Sequence, residues 1–216
     1  MTLIYSHRGY NNKIFSDNSI QSLDLAYKKG YRAIEFDVWL IKNELILSHD
    51  KPNIKSLINL ARFSDYFKYK NEFQYWIDFK NINKDNAHRI MNEIKRVIKK
   101  NRVSSKNILF APYITNLSKA VEIYQIIHNY FPRANIAAVC DHIDKGNLLK
   151  YYNALKENKI KSLSINHKII DKEFMNIYSQ INIFAWTVNN KNILNRLRKL
   201  GIKNFASDNI LPINQD

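Results

Sequence analysis

Two short charged stretches, His7-Arg8-Gly9 and His49-Asp50, each end an apolar run, and Ile34-Glu35-Phe36-Asp37-Val38 lies between them. Residues two apart on a strand share a face, so Glu35 and Asp37 point to one side while Ile34, Phe36 and Val38 point to the other. Two carboxylates on one inward face repel, and they are costly in apolar surroundings unless a cation neutralises them. Hard oxygen ligands suit Mg²⁺ or Ca²⁺; a lysine partner in a structural role is the other reading. Asp78 and Lys80 repeat the spacing in Tyr75-Trp76-Ile77-Asp78-Phe79-Lys80. That strand either delivers a third carboxylate ligand and a cation for a phosphate, or forms an internal ion pair. His7 and His49, at separate strand ends, have the chemistry of a general acid and base acting across a phosphodiester.

Such groups need strands to bring them together. The hydrophobic pattern predicts strands at Leu3–Ser6, Ala33–Leu40, Tyr75–Phe79, Ile108–Ala111, Asn135–Cys140, Ser162–Ile165, Ile183–Val188 and Asn204–Ser207, with a return segment over Glu44–His49. Helices are expected over Asn18–Lys29, around Leu57–Phe67, and over Asn86–Lys100, Leu117–Asn129, Lys145–Glu157, Lys172–Tyr178 and Ile193–Leu200. Eight strands alternating with helices is an α/β pattern. A doubly wound sheet and a closed (β/α)₈ barrel both fit the alternation. Polar residues recur where the strands end: His7, Asp37, His49, Asp78, Tyr113, Asp141, Asn166, Trp186 and Asp208. That placement favours a (β/α)₈ TIM barrel, single domain over residues 1–216, with its chemistry at the carboxyl ends of the strands.

Composition sets the outer limits. With 45% hydrophobic residues in 216, one substantial core can form. Four Gly, four Pro and one Cys exclude collagenous, linker-dominated and disulfide-stapled classes. Cys140 closes an apolar strand and reads as a buried, inert thiol. No basic segment followed by an apolar run opens the chain, so no signal peptide is expected. No apolar stretch approaches the roughly 18 residues of a membrane span, and a cytoplasmic protein is expected. The 34 Lys and Arg against 19 Asp and Glu give a net charge of +15. Those lysines are spread along the whole chain, many late in amphipathic helices where cations suit the helix dipole. Tyr66-Phe67-Lys68-Tyr69-Lys70 interleaves aromatics with cations. No zinc spacing, phosphate loop or helix-turn-helix signature accompanies it, so nucleic-acid binding is not expected as the main function. His142 and His167 fall at strand ends, as rim or structural residues; His88 and His128 fall inside helices.

The series His7-Arg8-Gly9, Asp17-Asn18-Ser19, Gly30, Glu35-Phe36-Asp37-Val38, His49-Asp50, Asp78-Phe79-Lys80, Trp186-Thr187-Val188-Asn189 and Ser207-Asp208 resembles the glycerophosphodiester phosphodiesterase family. The resemblance implies a (β/α)₈ barrel that hydrolyses a phosphodiester bearing a glycerol-like group to an alcohol and a phosphomonoester such as glycerol 3-phosphate. It implies a divalent metal, Mg²⁺ or Ca²⁺, on Glu35, Asp37 and Asp78, and an acid/base pair in His7 and His49. It also implies a phosphate held by Arg8 and Lys80, and a substrate pocket lined by Trp186. Water and a neighbouring substrate hydroxyl both fit as the nucleophile.

The chain departs from the family pattern in three places. Asp17-Asn18-Ser19 stands where the family usually has Glu-Asn-Thr, and Asp78 where it usually has Glu. Only about 27 residues separate Asp50 from Asp78 (78 − 50 − 1 = 27), expected to be mostly one helix, where the family commonly carries an insertion. The compact form resembles phosphodiesterase-like proteins of surface-polysaccharide synthesis, which makes a lipid- or glycan-linked phosphodiester a fitting substrate. A peripheral contact with an anionic membrane would give the positive charge a use. The competing reading is a catalytically weak barrel that binds a phosphorylated glycan or lipid headgroup.

Overall fold

The computed structural model describes residues 2–10, 14–114 and 116–212; residues 1, 11–13, 115 and 213–216 of the expected domain lie outside them. In chain order the elements are β1 (Leu3–His7), α1 (Ile20–Lys28), β2 (Ala33–Ile41), β3 (Glu44–Leu47), β4 (Gln74–Phe79), α2 (Ala87–Asn101), β5 (Ile108–Pro112) and α3 (Leu117–Tyr130). They continue with β6 (Asn135–Cys140), α4 (Leu148–Glu157), β7 (Ser162–Asn166), α5 (Lys172–Tyr178), β8 (Asn182–Trp186), α6 (Lys191–Lys199) and β9 (Asn204–Ser207). Among the described residues, eight parallel strands follow one another around the sheet as β1, β2, β4, β5, β6, β7, β8 and β9. Pairing of β9 back onto β1, from Leu3 beside Asn204 to Ser6 beside Ser207, closes the ring. The fold is the expected (β/α)₈ barrel. β3 runs antiparallel to the upper half of β2, Leu47 opposite Val38 and Glu44 opposite Ile41. No helix among the described residues is long and apolar enough to cross a membrane.

Helix starts follow local chemistry: Ser19, Asn116, Asp171 and Asn190 each accept a backbone N–H of the first turn, satisfying donors that the helix itself leaves orphaned. The second crossover differs from expectation. In place of a helix around Leu57–Phe67 stand three short 3₁₀ turns, Ile54–Asn59, Phe63–Phe67 and Lys70–Glu72. The exposed edge of β3 interrupts any helix there: Leu47 N donates to Ala61 O at 3.0 Å, and Arg62 forms a bridge with Ile46. The Arg62 guanidinium also takes the Leu57 and Leu60 carbonyls, at 2.8 and 3.3 Å. Residues 60–62 are therefore drawn out as an extended link, with turns on either side.

Alternation along the strands divides the core in two. Ile34, Phe36 and Val38 face the outer layer, where Phe36 meets Tyr66 at 4.9 Å between ring centres. Tyr66 and Phe67 are buried there, and Lys68 pairs with Asp24 at 2.6 Å. The aromatic and basic run is thus part of the packing of the second crossover. Inside the barrel a smaller cluster holds Tyr5, Ala33, Trp76, Leu109, Ala111, Ala137, Val139, Phe184 and Ala206. Tyr5, Trp76 and Phe184 meet edge to face at 5.3 to 6.0 Å and form its floor. Two residues further along these strands stand His7, Glu35, Asp78, Tyr113, Asp141, Trp186 and Asp208. The same period of two that seals the floor delivers the polar groups above it.

Cys140 is buried, and its thiol donates to His142 O at 3.3 Å. Burial pushes its pKa up to about 11, because the thiolate would lose its hydration. Alkylation by iodoacetamide is expected to be slow in the folded protein until the pH approaches about 11, and fast at neutral pH once urea unfolds it; mass spectrometry reads both.

Candidate active site

A cavity of about 610 Å³ opens at the carboxyl ends of the strands, and all eight residues singled out from the sequence line it: His7, Arg8, Glu35, Asp37, His49, Asp78, Lys80 and Trp186. The sequence left two alternatives for the carboxylates, and the geometry contains a feature of each. The carboxylate oxygens of Glu35, Asp37 and Asp78 lie within 4.8 Å of one another. Lys80 Nζ also sits between two of them, 2.9 Å from Asp37 Oδ1 and 2.7 Å from Asp78 Oδ2. Arg8 Nε lies 3.1 Å from Asp37 Oδ2.

The charges do not balance within this group. Burial, and then the charge of Asp37, raise the Glu35 carboxyl far above the ordinary range. Burial raises Asp78 as well, against the pull of Lys80. Burial alone would lower Lys80, but Asp78 and Asp37 outweigh it and raise the ammonium. Asp78 Oδ1 is buried without a hydrogen-bond partner. An orphaned carboxylate oxygen beside two further carboxylates fits a hard divalent cation with oxygen ligands.

His7 closes β1. Its Nδ1–H donates to Asp208 Oδ1 at 2.6 Å, leaving Nε2 facing Glu35 Oε2 at 3.8 Å. Burial lowers the imidazole pKa, but the charge of Glu35 and the Asp208 hydrogen bond outweigh it and raise the ring toward the protonated form. Asp208 is in turn held by Asn189, whose Nδ2 donates at 2.5 Å and whose Oδ1 accepts Asp208 N at 2.8 Å. His49 is far more open: its side chain is 44% exposed and bonds Asp50 at 2.9 Å. The two histidines reach the cavity from different elements, one fixed from behind and one at the mouth.

The turn after β1 explains the glycine of His7-Arg8-Gly9. Arg8 takes φ +57°, its N–H donates to Glu35 O at 2.9 Å and to Glu35 Oε2 at 3.1 Å, and Gly9 follows at φ +79°. A Cβ on Gly9 would fall 2.3 Å from Ser22 Oγ and 2.9 Å from the Ser22 carbonyl carbon. Ser22 has little freedom to move, because its hydroxyl donates to Ser19 O and its N–H to Ser19 Oγ. Gly9→Ala is expected to cost at least about 2 kcal/mol in urea unfolding, from left-handed strain plus overpacking. Gly30→Ala, at φ +87° with nothing within 4 Å, is expected to show only the strain, about 1 kcal/mol.

Several site residues carried no assigned role in the sequence reading. Asn18, buried and at φ +57°, brackets Asp37: its Nδ2 donates to Asp37 Oδ2 at 2.9 Å and its Oδ1 accepts Asp37 N at 3.1 Å. Asp208 and Asn189 fix His7, as above. On the far wall Tyr113 Oη donates to Asp141 Oδ2, and the Tyr113 ring lies 4.7 Å below Lys80 Nζ. Ser164, which also lines the cavity, anchors the expected pocket residue Trp186 by accepting its Nε1–H at 2.9 Å. Asn18, Asn189 and Asp208 sit inside the recognised motifs, but their contacts span 19 to 201 residues and left no local signal. His142 is exposed and bonds Asp144, His167 Nδ1 bonds Trp186 O, and neither lines the cavity.

Residues 7–75 match the model of the glycerophosphoryl diester phosphodiesterase family. The likeness is to the glycerophosphodiester phosphodiesterases. That match contains His7, Arg8, Glu35, Asp37 and His49 and ends before Asp78, Lys80 and Trp186. Solved structures cover the remainder of the fold. A phosphodiesterase of Oleispira antarctica, in complex with the product sn-glycerol-3-phosphate, superposes with a TM-score of 0.74 at 16% identity, covering 95% of this chain and 92% of that one. A glycerophosphodiester phosphodiesterase of Parabacteroides distasonis gives 0.74 at 18% identity, with 96% and 92% covered. That of Thermotoga maritima gives 0.73 at 18%, with 96% and 95% covered. Among curated proteins no sequence matches this chain.

Proposed function

We propose that this chain is a phosphoric diester hydrolase that cleaves a glycerophosphodiester or related phosphodiester into an alcohol and a phosphomonoester such as glycerol 3-phosphate. The observation that carries the reading is the meeting, in one cavity, of an imidazole fixed by Asp208, two cationic side chains and three carboxylates with an orphaned oxygen. The match over residues 7–75 supports it. So does the product named for the Oleispira antarctica relative.

Arg8 and Lys80 present their cations to the phosphate and offset the charge that builds on its oxygens in the transition state. His7, with Nδ1 committed to Asp208, moves a proton at Nε2. His49 moves the other at the mouth of the cavity, so that one imidazole serves the attacking oxygen and the other the leaving oxygen. Glu35, Asp37 and Asp78 would hold Mg²⁺ or Ca²⁺, which when bound supplies Lewis-acid stabilisation of the phosphoryl oxygens. Asn18 holds Asp37 for that purpose, and Trp186 forms part of the wall against the substrate. A cytoplasmic site of action suits a chain whose one cysteine is a buried thiol.

The test is product release from glycerophosphocholine, glycerophosphoethanolamine and glycerophosphoglycerol with Mg²⁺, Ca²⁺ or Mn²⁺, with and without chelator. Turnover that needs metal and is lost in His7→Ala and His49→Ala supports the proposal. The Lys80 bridge between Asp37 and Asp78 favours one second reading, a barrel that binds a phosphorylated headgroup without hydrolysing it. Tight binding of these diesters without turnover in any metal would select that reading.

A further inference from the structure

The large apolar side chains that stay exposed are distributed unevenly over this barrel. Ile14, Ile54, Ile58, Tyr113, Leu149 and Leu211 are the exposed ones among the described residues. Ile14 lies between β1 and α1, Ile54 and Ile58 between β3 and β4, and Tyr113 between β5 and α3. Leu149 is in the first turn of α4, and Leu211 follows β9. Every one therefore belongs to the end of the barrel at which the cavity opens. Scattered single exposures are ordinary; confinement to the face around one opening is not.

The segment after His49 is the most prominent part of that face. Ile54 and Ile58 are 69% and 85% exposed, four residues apart in one 3₁₀ stretch, with exposed Lys51 before them and exposed Lys55 between them. Both ends of the stretch are tied at the mouth. Lys51 lines the cavity, and Ala61 and Arg62 pair with β3 on the hairpin that stands above the barrel. Between Asp50 and Asp65 the chain carries Lys51, Lys55 and Arg62 and no acidic residue.

We propose that this face is a membrane-docking surface, with Ile54 and Ile58 entering the headgroup region of an anionic bilayer and Lys51 and Lys55 resting on its phosphates. Two isoleucines supply the apolar insertion and the lysines the attraction to anionic lipid, the pairing that interfacial segments require. The charge pattern selects a lipid surface over a second copy of a chain that is itself strongly positive. Docked in this way, the cavity faces the bilayer, so the diester it meets is one carried by a lipid. The inference rests on the phosphodiesterase reading only for what enters the cavity, because vesicle binding requires no turnover.

The test is cosedimentation with sucrose-loaded vesicles of phosphatidylcholine alone or with phosphatidylglycerol added, alongside hydrolysis of soluble glycerophosphoglycerol. The wild-type chain is expected to sediment with the anionic vesicles and to remain in solution with the neutral ones. The Ile54→Ser, Ile58→Ser double variant is expected to bind at least about ten-fold more weakly, with soluble turnover unchanged. Lys55→Gln is expected to weaken anionic binding by about five-fold. Wild-type protein that stays in solution with both vesicle types overturns the proposal, as does a double variant that binds as well as wild type. A dimer in sedimentation equilibrium that the double variant dissociates overturns it in favour of a self-association face. Vesicle binding without any diester turnover keeps the docking surface and overturns the phosphodiesterase reading; turnover without vesicle binding does the reverse.

Discussion

His7→Ala is expected to lower kcat on a glycerophosphodiester by about 10³-fold, the contribution of a positioned proton-transfer group, with KM changed far less. The His7 side chain is 15% exposed and touches Asp208 and Glu35, so a melting curve of the variant, taken alongside the kinetics, separates loss of the proton carrier from loss of the fold. Asp208→Asn separates the group that moves the proton from the one that aims it. An amide can still accept from Nδ1–H, but its charge no longer stabilises the imidazolium, so a loss of about 10-fold to 100-fold in kcat is expected. Asn189→Ala, which removes two hydrogen bonds to Asp208, is expected to reduce kcat in the same direction and by less. Steady-state kinetics on the three variants check the order. A loss in Asn189→Ala that appears in KM alone would place Asn189 with the substrate and not behind His7.

That dependence on remote partners shows how far the sequence could be read. The strands were legible because their alternation is strong: Asn135–Cys140 and Asn204–Ser207 occupy the expected residues, and the others shift by one or two at their ends. The polar residue two positions above each inward apolar one follows from the same period, so Glu35, Asp37, Asp78 and His7 could be placed in one mouth. The second crossover could not. Its apolar spacing suits a helix, and pairing of residues 61–62 with the edge of β3 is a tertiary event that overrides it. The supporting side chains escaped for a related reason. Asn18 looks like a turn residue, which at φ +57° it is, but its hold on both the backbone and the carboxylate of Asp37 depends on the barrel being closed. Nothing in the spacing of Asp78 and Lys80 told a metal ligand from an ion pair, because one lysine arm is long enough to permit both.

That ambiguity has a thermodynamic test in Lys80→Met. Lys80 holds Asp37 and Asp78 at 2.9 and 2.7 Å, and the three side chains are 1%, 16% and 10% exposed for Asp37, Asp78 and Lys80 respectively. Removing the ammonium while keeping the stem leaves Asp37 with Arg8 and Asn18, but strips Asp78 of the partner on Oδ2 when Oδ1 already has none. Breaking a buried pair in this way costs about 3 kcal/mol, which for a chain of this size lowers the melting temperature by roughly 6 to 12 °C in the presence of chelator. A divalent cation on Glu35, Asp37 and Asp78 supplies the missing positive charge. Saturating Mg²⁺ or Ca²⁺ is therefore expected to raise the melting temperature of Lys80→Met by more than that of the wild type, where the ammonium competes for the same oxygens. Turnover stays depressed even in the rescued variant, because the phosphate has lost one of its two cations. No shift in either protein would mean that the carboxylates take no cation, and the metal would leave the mechanism; equal rises in both would mean that the ammonium does not compete for the metal's oxygens.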